Sequence, residues 1–365
     1  MIYLLYLTEL LLYICFAVLM GSFVMHLVPS GKKPSIHIHK RWLQLSVLGI
    51  VFLSLMPVAY LIYMLQEDIG WAVTIPNVLA TFEVGQAWTL TLILSLFFYT
   101  FVSLFPVLEQ KRYAVISIVF IVLLIFTAGW AGHPASLEKV PGFFYHSLHF
   151  LAVSVWVGIL LVVSWLSTDK ENWLHFLKWF TPVAVVSFIV TAVSGFMMMT
   201  IITDVSDYTN IWMLNYGQAL LLKHIMVIPI LVFAIINSFL VKKQLQKDLA
   251  FNPKPWVKAE SIVLIMIFSV TAFLGQQPPP HAIQTMLKSD GAAPLFEYIY
   301  GGVVEPSMNV QFEVTAMSVL LAVLFISFFI LMLASFVRKA PAVLSFAMSF
   351  FLVVSLYLAL MVSIQ

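Results

Sequence analysis

Two histidines three residues apart, His146 and His149, are the residues of this chain whose type and spacing best suit metal or haem chemistry. Residues at this spacing share one face of a helix, so the two imidazoles are expected to point to the same side. The stretch that follows, through Gly158, is almost wholly apolar and predicts a helix that crosses a membrane. Because a polar ring inside a bilayer is costly and usually serves a function, the pair marks a candidate metal, haem or proton site.

Other metal-ligating side chains are predicted near the outer ends of the same helices. His224 lies in the outer third of the seventh apolar run, Met199 lies at the outer end of the sixth, and two further histidines lie in outer loops. Imidazole and thioether groups are the ligands that copper, especially Cu(I), prefers over hard cations. The predicted copper ligands are His133, His146, His149, Met199, His224 and His281.

A haem interpretation stays open for two of these residues. Histidines on different helices of a bundle can hold a haem between them when they face each other at equal depth. His149 and His224 meet the depth requirement. In that case the cofactor is haem b, with these two side chains as axial ligands, and the protein transfers electrons.

Four more residues are predicted to line a transport path: Glu83, Trp156, Tyr216 and Lys223. Trp156 follows His149 by seven residues, which places it on the same stripe of helix five. Lys223, near the outer end of helix seven, either extends outward to the lipid headgroups or pairs with an acid such as Glu83 or Glu313.

The composition predicts an all-α polytopic membrane protein. Of the 365 residues, 62% are hydrophobic and 9% are charged, whereas soluble domains carry about 25% charged residues. The apolar runs are about twenty residues or longer, which favours helices over a barrel. The lipid bilayer is therefore an expected partner, in addition to the copper ions that the His and Met residues favour, and no nucleic acid is expected. The ten predicted spans lie near 2–28, 42–65, 82–108, 113–132, 143–167, 179–203, 216–241, 256–275, 312–337 and 341–363.

The charges of the loops predict how the helices are oriented. Fifteen of the eighteen Lys and Arg residues lie in the odd-numbered loops or at the helix ends beside them. Because positive charge is retained on the cytoplasmic side, both termini are expected outside. The predicted location is the bacterial cytoplasmic membrane.

A repeated motif predicts an internal duplication. Gly85-Gln86-Ala87 opens helix three, and Gly217-Gln218-Ala219 opens helix seven. Helices one to four and five to eight are thus predicted to form two parallel four-helix repeats, followed by two C-terminal helices. Transport sites commonly lie between such repeats. The predicted divisions are a four-helix half at 1–142, a second half at 143–280, an outer loop at 281–311 and a helix pair at 312–365.

Four stretches between about 145 and 280 resemble the CopD/PcoD copper-resistance membrane protein family. They are His149–Gly158, the run through Ser194-Gly195, Tyr216–Lys223, and the run from Glu260 through Ala272 to Pro280. The resemblance implies copper movement across the cytoplasmic membrane, generally uptake. It also supports four family positions, which are His149, Trp156, Tyr216 and Lys223.

The chain departs from the family pattern in two respects. Helix five carries the single glycine Gly158 where the family has a Gly-Gly pair. No soluble domain of the CopC type is joined to the ten spans, so we expect a separate extracytoplasmic protein to deliver copper.

These patterns predict a copper transporter rather than an enzyme. No nucleophile motif, phosphate-binding loop or dinucleotide fingerprint is found in the sequence. Because nothing resembles an ATP-binding unit, movement is expected to be facilitated, or coupled to a gradient through Glu83 or Lys223. The cytochrome b interpretation and a role in inserting copper into an oxidase stay open.

Overall fold

The structure is a computed structural model that describes residues 2–248 and 250–365, and it confirms an all-α polytopic protein. Over the described residues, ten helices are long and apolar enough to cross a membrane. They correspond one to one with the ten predicted spans. Helices suit this environment because each satisfies its own backbone hydrogen bonds, for which the bilayer core has no water.

The helices are numbered in chain order. They are α1 Ile2–Leu27, α2 Lys40–Ile69, α3 Trp71–Thr81, α4 Glu83–Leu104, α5 Lys111–Trp130, α6 His133–Leu137, α7 Lys139–Leu166, α8 Trp173–Ile202, α9 Asn215–Ile235, α10 Lys242–Lys247, α11 Lys254–Leu274, α12 Ile283–Asp290, α13 Pro294–Tyr300, α14 Ala316–Val337 and α15 Ala342–Val362. A π-helical segment, Ile236–Val241, joins α9 to α10, so the seventh span is continuous from Asn215 to Lys247.

Several short helices lie between the predicted spans. The second span continues to Ile69, and Gly70 then turns the chain into α3 with a φ of 75°, a left-handed conformation that glycine adopts without steric cost. The outer loop predicted at 281–311 contains α12 and α13. These helices are too short to give the long apolar run by which a span is recognised.

The chain forms two compact units, one through Ile201 and the other from Ile202 to Gln365. The division predicted from the sequence, with boundaries after residues 142, 280 and 311, stays a prediction, as do the two parallel repeats and the orientation of the termini.

In the first unit, α1 packs closely along α7. A Cβ placed on Gly21 would lie 2.0 Å from the carbonyl oxygen of Gly158, and one placed on Gly158 would lie 2.3 Å from that of Ala17. Small residues let membrane helices approach at backbone distance. Gly158 alone therefore lets α7, the fifth span, contact α1 closely, where the resemblance led us to expect a pair of glycines. Phe16 and Phe150 extend this interface into a buried apolar cluster shared with α2, α4 and α5.

The second unit is built on contacts of α9 with α11 and α15, and of α14 with α15. Thr315 begins α14 with a capping box, in which its hydroxyl accepts from the Ser318 amide and the Ser318 hydroxyl accepts from the Thr315 amide. This arrangement satisfies amide groups that have no partner within the helix.

The two Gly-Gln-Ala motifs have the same local geometry, each within its own unit. The Nε2 atom of Gln86 donates to the carbonyl oxygen of Ala80 at 2.6 Å, and that of Gln218 donates to the carbonyl oxygen of Trp212 at 2.5 Å. Both bonds span six residues, and the glycine of each motif lies against a backbone carbonyl of the preceding segment. The two motifs therefore share one local bond, and the duplication itself stays a prediction.

Candidate functional site

His149 is held in one orientation by residues of α8. Its Nδ1 atom lies 2.9 Å from the backbone carbonyl oxygen of Thr191 and 3.3 Å from the hydroxyl of Ser194. A Cβ placed on Gly195 would lie 3.2 Å from the Cε1 atom of the ring, so glycine at that position leaves room for the imidazole.

The Thr191 contact determines which ring nitrogen carries the hydrogen. A carbonyl oxygen only accepts hydrogen bonds, so Nδ1 of His149 must be the donor. In the neutral imidazole, Nε2 then carries the lone pair. A backbone carbonyl on the other ring nitrogen is the usual way in which proteins orient a metal-ligating histidine. The lone pair on Nε2 of His149 is therefore the one that a copper ion or a haem iron would bind.

Trp156 lies on the same side of α7 as His149. Its ring is buried and meets Phe188 of α8 edge to face, with the ring centroids 6.0 Å apart. The indole Nε1 atom is buried, and the described residues offer it no hydrogen-bond acceptor. His149 and Trp156, which form the predicted stripe of the fifth span, α7, are thus both directed towards α8.

His146 contacts a different neighbour. A Cβ placed on Gly132 would lie 2.1 Å from its Nδ1 atom, so the ring packs against the backbone between α5 and α6. The two histidines therefore have separate surroundings despite their three-residue spacing, since His149 contacts α8. His133 is exposed at the first position of α6.

In the second unit, His224 bonds to a tyrosine of the preceding loop. Its Nδ1 atom lies 2.7 Å from the hydroxyl of Tyr208, and the two ring centroids are 5.7 Å apart. Burial raises the pKa of Tyr208 above its ordinary value, so the hydroxyl keeps its hydrogen at neutral pH. Tyr216, in the first turn of α9, is buried.

Two acids were predicted as alternative partners of Lys223, Glu83 and Glu313. The Oε1 atom of Glu83 lies 3.9 Å from the Nζ atom of Lys139, and both side chains are well exposed. Lys223 is half-buried, and no ion pair joins it to Glu313 within the described part of the second unit. The predicted alternative in which Lys223 pairs with Glu313 is therefore wrong, because the structure does not bring the two charges within 4 Å.

The remaining predicted ligands lie at the ends of elements. Met199 is half-buried near the end of α8, and His281 is exposed after the prolines that follow α11. Across residues 2–248 and 250–365, no three His, Cys, Asp or Glu side chains are grouped closely enough to hold a metal ion. His149 and Met199 belong to the first unit and His224 to the second. A site shared by these residues stays a prediction.

Two partners of the histidines were not predicted. Thr191 acts through its backbone carbonyl, which leaves no signature in the residue type. Tyr208 lies in the loop between α8 and α9 and approaches His224 through a turn that the sequence pattern does not reveal. Ser194 could have been found, because it lies beside Gly195 in a stretch that resembles the family.

Comparison with known proteins matches most of the chain to one family. Residues 174–274 match copper resistance protein D, and residues 1–143 match the N-terminal domain of copper resistance protein D-like proteins. The chain is 26% identical over 208 residues to the copper transport protein CutJ of Bacillus subtilis (strain 168); the match covers 54% of the chain and 37% of that relative. No solved structure matches. The chain therefore belongs to the CopD copper-resistance membrane protein family.

Proposed function

We propose that this protein moves copper ions inward across the bacterial cytoplasmic membrane. Membership of the CopD family and similarity to a protein named as a copper transporter support this function. The observation that supports it best is the bond from His149 Nδ1 to the Thr191 carbonyl, because it holds the ring in place and leaves the lone pair on Nε2, where a metal ion could bind.

We assign different roles to the predicted ligands according to their positions. The exposed histidines, His133 and His281, make first contact with copper delivered by a separate extracytoplasmic protein. His146 and His149 then offer imidazole ligands in the first unit and His224 offers one in the second. The thioether of Met199, in the first unit, suits Cu(I). Copper is the cargo here, so each site must bind strongly enough to admit the ion and weakly enough to release it.

Three further residues line the path, each within its own unit. Trp156 follows His149 on α7 and forms an apolar wall against Phe188, and Tyr216 and Lys223 precede His224 on α9. Glu83 serves at the outer rim, where its exposed carboxylate lies beside Lys139.

Uptake of radioactive copper into liposomes containing the purified full chain tests this function. We expect His149→Ala to lower uptake at limiting copper by about tenfold or more, since even the loss of a supporting group around a metal costs that much affinity. His175→Ala is the matched control, because His175 is an exposed histidine at the start of α8. Equal uptake by His149→Ala and the control would overturn the assignment.

An absorption spectrum of the purified protein separates copper from haem. A Soret band that disappears on replacing His149 or His224 would make the protein a cytochrome b. Copper bound to a protein without that band supports the transporter. Cells that lack the chain should then accumulate less copper under limitation. Unchanged cellular copper would indicate a factor that inserts copper into an oxidase instead.

A further inference from the structure

A buried polar pair lies at the point where the seventh span changes its helical geometry. Asn237 is the second residue of the π-helical segment, and its Nδ2 atom donates to the Oε2 atom of Glu260 on α11 at 2.7 Å. A longer contact of 3.4 Å joins the same Nδ2 atom to the carbonyl oxygen of Trp256. Both side chains are 4% exposed.

A carboxyl group inside a membrane span is expensive and usually marks a functional site. Glu260 is paired with an amide, not with a cation, among the described residues. The Oδ1 atom of Asn237 is buried, and no donor in the described part of the chain reaches it. A buried acceptor without a donor is costly and requires an explanation, such as a ligand that binds there.

The backbone around Asn237 also departs from regular structure. π-Helical turns are rare, appear mostly as short segments within α-helices, and are often found at functional sites. Here the segment is six residues long and contains Asn237, whose side chain reaches Glu260. The geometry therefore brings a carboxyl group, an amide oxygen without a donor and a widened helical turn to one place.

We propose that Glu260 and Asn237 form a proton-binding site in the second unit. The site offers oxygen atoms, which suit a proton or a hard cation and not Cu(I). A hard metal cation such as Ca²⁺ takes about six to eight oxygen ligands, whereas a proton needs one oxygen to hold it and one to accept its hydrogen bond. Glu260 and Asn237 supply those two oxygens.

The pair can accommodate both protonation states. In the ionised state, the carboxylate of Glu260 accepts from Nδ2 of Asn237, as in the structure. Hydronium from the aqueous side transfers a proton to the carboxylate, which gives a neutral carboxylic acid and water. The new O–H group then donates to Oδ1 of Asn237 once the amide has turned about its Cβ–Cγ bond.

The titratable groups of α9 and α15, which pack against α11, lie well away from Glu260 along the helices, whereas the lysines of α10, which packs against the π-helical segment, begin five residues after Asn237. The π-helical segment has none. Lys223 is fourteen residues before Asn237, or about 20 Å at 1.5 Å per residue, and Tyr357 of α15 bonds instead to Gln218 near the start of α9. On α11 itself, Lys258 is two residues from Glu260 and points to another face. The titratable groups of α9 and α15 are Tyr216, Lys223, His224 and Tyr357.

The position of Glu260 suggests how protons reach it. It lies six residues, or about 9 Å, from the start of α11, next to the lysine-rich loop that the charge pattern predicts to be cytoplasmic. We assign to this site the coupling of inward copper movement to the proton gradient. That role rests on the proposed function, whereas proton binding itself does not.

Infrared spectra of the reconstituted full chain between about pH 5 and pH 9 test proton binding without copper. We expect a band from a protonated carboxylic acid to appear at low pH, to vanish in Glu260→Gln and to persist in Glu313→Gln, an exposed carboxyl of the same unit. Asn237→Ser should move the midpoint of that band by about one pH unit. If Glu260→Gln does not fold, the Asn237→Ser shift decides alone. A band unaffected by both variants overturns the site.

Copper flux with and without a proton gradient tests the coupling. We expect Glu260→Gln to retain downhill flux and to lose its stimulation by the gradient, while Glu313→Gln keeps both. Stimulation that persists in Glu260→Gln, or that a sodium gradient supplies instead, overturns the coupling. Absence of all copper flux in a wild-type protein with the Glu260 band would instead reject the proposed copper transport.

Discussion

The Nδ1 atom of His149 lies 2.9 Å from the backbone carbonyl oxygen of Thr191, and this bond fixes the tautomer of the imidazole. The hydroxyl oxygen of Ser194 lies 3.3 Å from the same nitrogen and accepts a weaker, shared bond from it, while the hydroxyl hydrogen is donated to the carbonyl oxygen of Val190. The ring is thus oriented by main-chain atoms of a membrane helix, which no single substitution at Thr191 removes. The contact with Ser194 involves a side chain, so a substitution can remove it.

Replacement of Ser194 by alanine should weaken copper binding without abolishing it. The hydroxyl supports the His149 ring from outside the coordination sphere, and such supporting groups contribute about 10–100-fold in metal affinity. We expect an effect near the lower end of that range, because the Thr191 bond remains. Competition with a copper chelator, measured on the purified protein, gives the affinity.

Ser187→Ala is the control for this experiment, since Ser187 is another buried serine of α8. Its copper affinity should equal that of the wild type. Equal affinities for all three proteins would show that Ser194 does not support the ring. A loss as large as that of His149→Ala would mean that Ser194 is itself a ligand.

Gly158→Ala should destabilise the protein through the contact between α1 and α7. The new methyl group would lie 2.3 Å from the carbonyl oxygen of Ala17, which is backbone and cannot rotate away. Overpacking of this kind costs about 1–3 kcal/mol. The thermal midpoint in detergent is the measurement. Gly31→Ala is the control, because its added Cβ meets open space within 4 Å; an equal loss in both variants would contradict the close contact.

The sequence predicts the ten spans because their signal is local. Runs such as 113–132 are continuous and apolar, and Lys111 and Arg112 limit the run at one end, so hydropathy alone finds the helix. The short helix α3 gives no such signal. Gly70, whose φ is positive, ends α2 and starts α3 as a separate helix of 11 residues. A helix of that length is too short to be recognised as a membrane span by hydropathy.

The candidate site is predictable only in part, since its contacts join residues distant in the chain. His149 stands out as a costly polar residue in an apolar run, but its partner is a carbonyl group that every residue possesses. His146 shares the spacing and yet packs on Gly132, because neighbouring elements and not helical periodicity decide where a ring finds space. The Asn237–Glu260 pair requires knowledge of which helices are neighbours.

The stability of the protein should depend on pH through Lys33. Burial of its ammonium group, and then the charge of Lys111, lower the pKa of Lys33 below the ordinary value of 10.5. The unfolded chain therefore holds this proton more tightly than the folded chain. The resulting loss of stability is complete below the folded-state pKa and disappears as the pH rises from that value to 10.5.

Thermal midpoints of the wild type and Lys33→Met, compared over that pH window, isolate the effect. We expect the midpoint of the wild type to rise relative to that of the variant as the pH increases. Lys32→Met, at an exposed neighbouring position, is the control and should follow the wild type. Parallel curves for the wild type and Lys33→Met would contradict the prediction.

Gln218 and Tyr357 should be energetically coupled across α9 and α15. The Oε1 atom of Gln218 accepts from the hydroxyl of Tyr357, while its Nε2 atom donates to the carbonyl oxygen of Trp212 at 2.5 Å. Tyr357→Phe leaves the buried Oε1 atom without this donor, at a cost of about 1–3 kcal/mol. In Gln218→Leu that acceptor is gone, so removing the Tyr357 hydroxyl should then cost less.

A double-mutant cycle measures this coupling from denaturant unfolding in detergent. We expect an interaction energy of about 0.5–3 kcal/mol for Gln218→Leu with Tyr357→Phe, the range for residues in contact. Gln86→Leu is the matched control, because Gln86 makes the same six-residue bond, to Ala80, and none to Tyr357. Its effect should add to that of Tyr357→Phe within about 0.5 kcal/mol. Additivity in both cycles would mean that the Gln218–Tyr357 contact contributes no stability, and that the second motif, like the first, acts only through its local bond.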